Sequence, residues 1–253
     1  MKKYFFVLLL CAAAGAWAQD VFELPEAEEP EEDNRSAAEI LYDCTRVIPT
    51  EPTLLRGMLT VRMKRGTVLV EHPFTLLLDW GANPPTAECL LFAADGRTQL
   101  ERALMARPKG KPAQIRLYQG TEKEAFETPA FSSRIRMTDI TWLDLTLDFL
   151  WWNDVRFDEA RRGTCRVGRK CHILLVRPPE EIAGCSAVRV WVDTALCCIM
   201  QAEQLDASGK PTRMMWVQNV KKMDDRWMIR DMEVEMLNSG HRTRLRVDES
   251  GRP

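Results

Sequence analysis

The C-terminal third of the chain leaves little freedom of topology. From Ser186 onward, runs that alternate apolar and polar residues occupy 186–193, 197–205, 212–220, 227–237 and 242–249. Alternation with period two places successive side chains on opposite faces, the mark of a half-buried strand. The links Ala207-Ser208-Gly209-Lys210, Met223-Asp224-Asp225-Arg226 and Asn238-Ser239-Gly240-His241 are short. Links of this length join antiparallel neighbours, because a parallel pair needs a crossover of about a dozen residues or more. In the last run Thr243, Leu245 and Val247 face in, whereas Arg242, Arg244, Arg246 and Asp248 face water.

The same texture continues upstream. Leu55, Leu59, Val61 and Met63 alternate with Arg56, Thr60, Arg62 and Lys64, and Arg65-Gly66 turns the chain into a strand over 67–80 with a bend expected at Pro73. After a loop at 81–85, strands are predicted over 87–94, 98–105, 113–119 and 164–176, the last with a bulge or bend at Gly168. This makes about eleven strands in one meander. Open twisted sheets above about ten strands curl or split, so a strongly curled sheet with helices in its opening is expected. A short helix is predicted over 37–46, with Ser36 as its cap and Ile40, Leu41 and Cys44 on one side. The stretch 121–136 carries no pattern.

One stretch stands apart from the strands. Residues 138–152 read TDITWLDLTLDFLWW and hold three of the chain's eight tryptophans. Thr141 followed by Asp144 has capping-box spacing, a helix-start signal. On a helix, Trp142, Leu145, Phe149 and Trp152 form one stripe, and Ile140, Leu143, Leu147 and Leu150 another, so both faces need cover. Leu143, Leu145, Leu147 and Phe149 also alternate as in a strand, and periodicity does not decide between the two. As a core element the stretch fills the sheet's concave side. As a lid or plug, its inner stripe of Trp142, Leu145, Phe149 and Trp152 meets a greasy ligand.

The first eighteen residues have the features of an export signal: Lys2 and Lys3, an apolar run over 4–14, and Ala16-Trp17-Ala18 as cleavage site. Cleavage after Ala18 leaves a mature, exported chain with no segment of about eighteen unbroken apolar residues to cross a membrane. Residues 19–35 carry eight acidic side chains and two prolines against one base. So little apolar area does not offset the entropy of ordering, and a disordered tether is expected there. The single domain then spans 36–253. From Ser36 onward 32 basic residues face 29 acidic ones, with no like-charge block of the kind that binds nucleic acid.

Seven cysteines remain after cleavage: Cys44, Cys89, Cys165, Cys171, Cys185, Cys197 and Cys198. Export permits disulfides, but the odd number leaves one thiol unpaired in a monomer. No CxxC occurs, so zinc ribbons and thioredoxin-type sites lack their spacing. Inert buried thiols are the expectation. His72, His172 and His241 stand alone in sequence, and GxSxG, HExxH, P-loop and GxGxxG motifs are missing. Neither an enzymatic activity, a metal nor a cofactor is expected. One position breaks a pattern: Arg230 falls among Met228, Met232, Val234 and Met236 on the face opposite Asp231, Glu233 and Glu235. An inward arginine needs a partner or a path to water. It either snorkels at the rim or meets a ligand's polar group, and the flexible methionines beside it suit varied apolar shapes.

Together these stretches resemble the outer-membrane lipoprotein-sorting (LolA-like) proteins of Gram-negative bacteria. The resemblance rests on 138–145 with 148–152, Gly168-Arg169 before Cys171, and 188–193. It continues through Ala202-Glu203 with Asp206, Gly209-Lys210, Lys221-Lys222 with Trp227, and 240–247. It implies a mainly β fold with a helical lid (α+β), a half-open antiparallel β-barrel covered by short helices. It also implies a periplasmic, non-enzymatic carrier or binding protein for acyl chains, in particular those of lipoproteins bound for the outer membrane. Trp142, Leu145, Phe149, Trp152, Met228, Arg230 and Met232 are the candidate ligand-binding residues, and membrane-bound sorting proteins are expected as transient partners. An envelope sensor or scaffold of the same fold, binding a protein partner, is the alternative; an exported enzyme is the third reading. An apolar cavity open to solvent favours the carrier, a filled interior the scaffold, and a polar cleft with converging histidine and carboxylates the enzyme.

Overall fold

The structure is a computed structural model that describes residues 33–46, 48, 50–159, 168–223 and 226–253. The export signal, Cys165 and the tether up to residue 32 lie outside the described residues. One antiparallel sheet of twelve strands dominates: β1 (Thr53–Met63), β2 (Val68–Asp79), β3 (Thr86–Phe92), β4 (Gln99–Ala106), β5 (Gln114–Gln119), β6 (Asp154–Phe157), β7 (Cys171–Arg177), β8 (Ala187–Asp193), β9 (Ile199–Leu205), β10 (Pro211–Met223), β11 (Arg226–Met236) and β12 (His241–Gly251). The spatial order is β5-β4-β3-β2-β1-β12-β11-β10-β9-β8-β7-β6. Each short link joins neighbours, and the one long-range pairing, β1 with β12, brings the two ends of the meander together. The sheet curls but does not close, because β5 and β6 remain its two edges.

Ten of the eleven strands legible in the sequence are present with ends shifted by a few residues; of the one expected over 164–176, residues 164–167 lie outside the described residues and β7 begins only at Cys171. The unforeseen one is β6, whose Asp-Val-Arg-Phe is too short to show a period. Strand β2 runs unbroken through Pro73, which lies one residue beyond the last β2–β3 pair, Phe74 with Leu91. A residue with no N–H is tolerated where a strand lacks a neighbour on one side. Register shifts interrupt the β1–β12, β3–β4, β8–β9, β9–β10 and β10–β11 ladders. Such bulges bend and twist a strand, which is how a sheet this wide curls instead of splitting. At the β1 bulge Gly57 sits against the Arg246 carbonyl and the Phe74 ring, leaving no room for a Cβ.

The concave face is built by alternate residues along the strands, among them Leu59, Phe74, Leu91, Val190, Val234 and Val247, all in one continuous apolar core. Helix α1 (Ala37–Arg46) adds Ile40, Leu41 and Cys44 to it and packs near β6 and β8. The Ser36 hydroxyl accepts from the Glu39 amide at 3.3 Å while Glu39 accepts from the Ser36 amide at 2.7 Å, a reciprocal cap. Just before it, Asp33 meets the His172 ring at 2.8 Å and Arg35 meets Asp43 at 2.7 Å, so the end of the acidic segment lies on the body.

The outward face is less wet than alternation suggests. Asp231, Glu233 and Glu235 point away from the core yet are buried. Arginines of the neighbouring β12 and a lysine just beyond β1 cover them: Arg244 pairs with Asp231 at 2.7 Å, Arg242 with Glu233 at 3.0 Å and Lys64 with Glu235 at 2.6 Å. Glu233 also takes Arg62, so one carboxylate lies between two arginines that face each other across β1 and β12. The two β11–β12 pairs are diagonal cross-strand pairs, the sheet's counterpart of helical i,i+4 pairing, whereas Arg62 and Lys64 reach over β12 from β1 and its end. The arginines expected to face only water therefore serve as lids over carboxylates.

Candidate functional site

Residues 131–152 form a plug in the hollow of the sheet. It begins as a tight doubled-back loop, in which the Ile135 amide donates to the Ile140 carbonyl (2.8 Å), Trp142 to Ser133 (3.2 Å) and Leu143 to Phe131 (3.0 Å). The Thr138 hydroxyl closes the loop by donating to the Ile135 carbonyl at 2.7 Å. Helix α2 (Trp142–Thr146) follows, and its capping box is the one the sequence announces: the Thr141 amide donates to Asp144 at 2.7 Å and the hydroxyl at 2.9 Å.

The expected single helical stripe does not form. Leu147 adopts a left-handed conformation (φ 49°), which stops α2 after little more than a turn, and a 3-10 turn (Asp148–Trp151) continues in a new direction. The physical reason lies in what Asp148 reaches after this reversal. Its carboxylate accepts from the Arg107 guanidinium (2.5 Å), the Ala113 amide (3.0 Å) and the Trp152 indole (3.0 Å). Three strong donors outweigh the about 1–2 kcal/mol that one left-handed residue costs.

The four residues of the expected inner stripe still converge. Trp142, Phe149 and Trp152 are buried in the main core, with Phe149 edge-on to Trp152 at 6.4 Å between ring centres. Leu145 is half-buried and lines a void of about 30 Å³ with Leu76, Leu78, Trp80 and Met105. That space holds a water or two, at roughly 10–15 Å³ each, and no acyl chain. On β11, Met228 and Met232 pack against the same core, and Arg230 lies half-buried between them, engaged with a neighbour. Six of the seven candidates thus border one apolar interior, with Arg230 on the strand that carries two of them.

Sequence reasoning missed the anchors. The plug is tied to the sheet by three buried carboxylates, Asp139, Asp144 and Asp148. Asp139 accepts from the Thr243 hydroxyl at 3.1 Å and meets the His241 ring at 2.9 Å, both on β12. Asp144 pairs with Arg213 of β10, which also donates to the Asp139 carbonyl. Asp148 holds Arg107, just beyond β4. A signal for this was present, since acidic residues inside so apolar a stretch are buried only when paired. Their partners are distant in sequence and carry no mark of their own.

Asp139, His241 and Thr243 bring a histidine, a carboxylate and a hydroxyl together, but in the wrong order for nucleophilic catalysis. The hydroxyl is bonded to the carboxylate, whereas an activated nucleophile must face the imidazole. His72 lies against the Phe92 carbonyl at 3.2 Å, and among the described residues no cluster of three or more His, Cys, Asp or Glu side chains is arranged to hold a metal ion. No helix among the described residues is long and apolar enough to cross a membrane.

Beyond the plug lies a larger cavity, about 550 Å³, between the loop over 107–112 and the Trp151–Trp152 edge of the 3-10 turn. Trp151 and Arg107 line it, with the Arg107 guanidinium over the Trp151 ring at 3.7 Å; Trp80, which lines the small void, stacks with Trp151 at 5.7 Å and 11°. Burial draws the Arg107 pKa down, against the pull of Asp148.

A family model described as an uncharacterized protein matches residues 134–250. A sequence comparison with curated proteins finds no match. Among solved structures, a DUF1329 family protein from Desulfovibrio piger is similar at TM-score 0.70 and 15% identity, over 85% of this chain and 90% of that one. A putative outer membrane lipoprotein-sorting protein domain from Vibrio parahaemolyticus gives 0.70 and 14%, over 85% and 91%. A LolA superfamily protein from Nitrosomonas europaea gives 0.67 and 12%, over 87% and 94%. The fold is therefore LolA-like, as the resemblance in sequence implied.

Proposed function

We propose that the chain is an exported, non-enzymatic carrier or binding protein that takes acyl chains into the concave interior now filled by the plug. The observation that carries this reading is the way the plug is held. Its aromatic and aliphatic side chains occupy the hollow of an unclosed sheet, but its ties to that sheet are side-chain contacts, the carboxylates of Asp139, Asp144 and Asp148 and the Arg136 guanidinium on the Leu100 carbonyl, and not a strand ladder. A segment docked in this way exchanges places with an apolar guest of similar character without unravelling the sheet. A carrier is needed wherever acyl chains cross water, since each exposed methylene costs about 0.8 kcal/mol. One similar structure bears the description of a lipoprotein-sorting domain, which favours lipoprotein acyl chains as cargo and the periplasm as the setting. Transient contact with membrane-bound sorting proteins follows from that role.

A second reading has its own observation. The interior is filled, and the apolar void beside Leu145 measures only about 30 Å³, which suits a scaffold or sensor that binds a protein partner on its surface. Titration with a fluorescent fatty acid separates the two, supported by native mass spectrometry of protein purified from its own periplasm. Saturable probe binding with co-purifying lipid supports the carrier. A protein that binds no probe and carries no lipid is a scaffold.

A further inference from the structure

The 550 Å³ cavity differs in chemistry from the interior it adjoins. Arg107, Lys109 and Lys111 line it, and the carboxylate among its lining residues is Asp148. Asp148 is already engaged by Arg107, the Ala113 amide and the Trp152 indole, so it offers nothing to the two lysines. The Arg107 side chain is more than nine-tenths buried, and its Nε has no hydrogen-bond partner. Pro108 and Pro112 bracket the loop, and Gly110 (φ 68°) turns it with a Lys111 amide to Pro108 carbonyl bond of 3.2 Å. Both lysines are thereby carried at the rim of a cavity walled by indoles and prolines, where field lines from like charges concentrate.

The position of this cavity adds the second half of the argument. Arg107 and Pro85 line both it and the small apolar void of Leu76, Leu78, Met105 and Leu145. A cationic mouth thus shares Arg107 and Pro85 with the wall of the small apolar void, and the Arg107 guanidinium there lies over the Trp151 ring. We propose that this mouth binds the phosphate head group of an amphiphile whose tail enters the interior beside Leu145. The volume falls within the roughly 300–1,000 Å³ of small-molecule sites, and the excess of cations selects an anionic head over a zwitterionic one. The inference rests on the acyl-chain reading for the ligand's tail, but not for its head.

The test is calorimetric titration of the whole mature protein below the critical micelle concentration, with dodecyl phosphate, dodecylphosphocholine and glycerol 3-phosphate. Dodecyl phosphate should bind at least about tenfold more tightly than dodecylphosphocholine. The double variant Lys109→Ala/Lys111→Ala alters exposed side chains only, and should erase that preference by lowering the dodecyl phosphate affinity far more than the phosphocholine affinity. Equal affinity of the unmodified protein for the two amphiphiles overturns the inference and leaves the acyl reading standing. A preference that survives in the variant overturns it too, because the anion is then bound elsewhere. Lysine-dependent binding of glycerol 3-phosphate alone keeps the anion site, as one for soluble phosphate esters, and removes the acyl reading. Binding of none of the three defeats both.

Discussion

The Asp148 carboxylate and the Arg107 guanidinium meet at 2.5 Å, and both side chains are more than nine-tenths buried. The pair ties the plug to the sheet one strand away from the open edge β5, where no further ladder holds the hollow together. Removing one member of a buried pair strands the other charge, at a cost of about 3–5 kcal/mol.

Asp148→Ala should therefore lower the melting temperature by about 10 °C, given about 2–4 °C per kcal/mol for a domain of this size. Asp148→Asn retains acceptors and should lose less. The measurement is a double-mutant cycle with Arg107→Ala. Coupling of several kcal/mol is expected, whereas additive losses would mean that the two residues do not act as a pair.

Phe149 separates plug from ordinary core. It is 2% exposed and lies edge-on to Trp152, so Phe149→Glu places a carboxylate where ionisation without a partner is costly. The expected result is an undocked plug on an intact sheet. Tryptophan emission should shift to the red while the far-ultraviolet β signal persists. Fatty-acid probe affinity should rise at least about tenfold, or roughly 1.4 kcal/mol, because the plug no longer competes for the hollow. Cooperative loss of the whole β signal would place Phe149 in the core proper and remove the plug as a movable piece.

The sheet was legible because its information is local. Period-two alternation, the short links at 207–210 and 238–241, and a Gly or Asp at each turn are all read within a few residues of one another. Twelve strands follow from such signals, apart from β6, which has four residues and no room for a period. The plug's composition was equally plain, and so was its capping box. Its path was not, because the turn at Leu147 is set by Arg107 and by the Ala113 amide, more than thirty residues upstream. The anchors share that obscurity. Arg213 and Thr243 look like ordinary strand residues until the fold places Asp144 and Asp139 against them. Arg230 stands out by its place among methionines, yet the cations paired with the plug's carboxylates are Arg107 and Arg213, and Lys109 and Lys111 join Arg107 at the cavity.

Strong acid should loosen the turn after β8. Burial works against ionisation of Asp193, but Arg169 at 3.1 Å and the Leu196 and Ala195 amides at 2.8 and 3.0 Å hold its pKa below the ordinary 3.8. A pKa depressed by folding contributes stability that is full above the unfolded value and is lost as pH falls through the folded one. Asp193→Asn should accordingly be less stable than the unmodified protein at pH 7, with the gap closing below about pH 4. Urea midpoints measured from pH 2 to pH 7 test this, and a gap that stays constant across the range would count against the carboxylate as its source.

The thiols give the last prediction. Burial pushes Cys44, Cys89, Cys185 and Cys198 up to about 12, and the thiolate is the form that attacks alkylating reagents. At pH 8 only about one such thiol in ten thousand is ionised, from the four-unit gap between pH and pKa. Short iodoacetamide treatment of the folded protein should leave these four unmodified, and treatment in denaturant should label all of them. Cys44 and Cys89 are further shielded by the main core, where they pack with Ile40 and Leu91. Mass-spectrometric mapping of the alkylated peptides reads the outcome directly. Rapid native labelling of Cys44 or Cys89 would mean that the core around α1 and β3 opens on the timescale of the reaction, and the inert-thiol reading of the cysteines would fall with it.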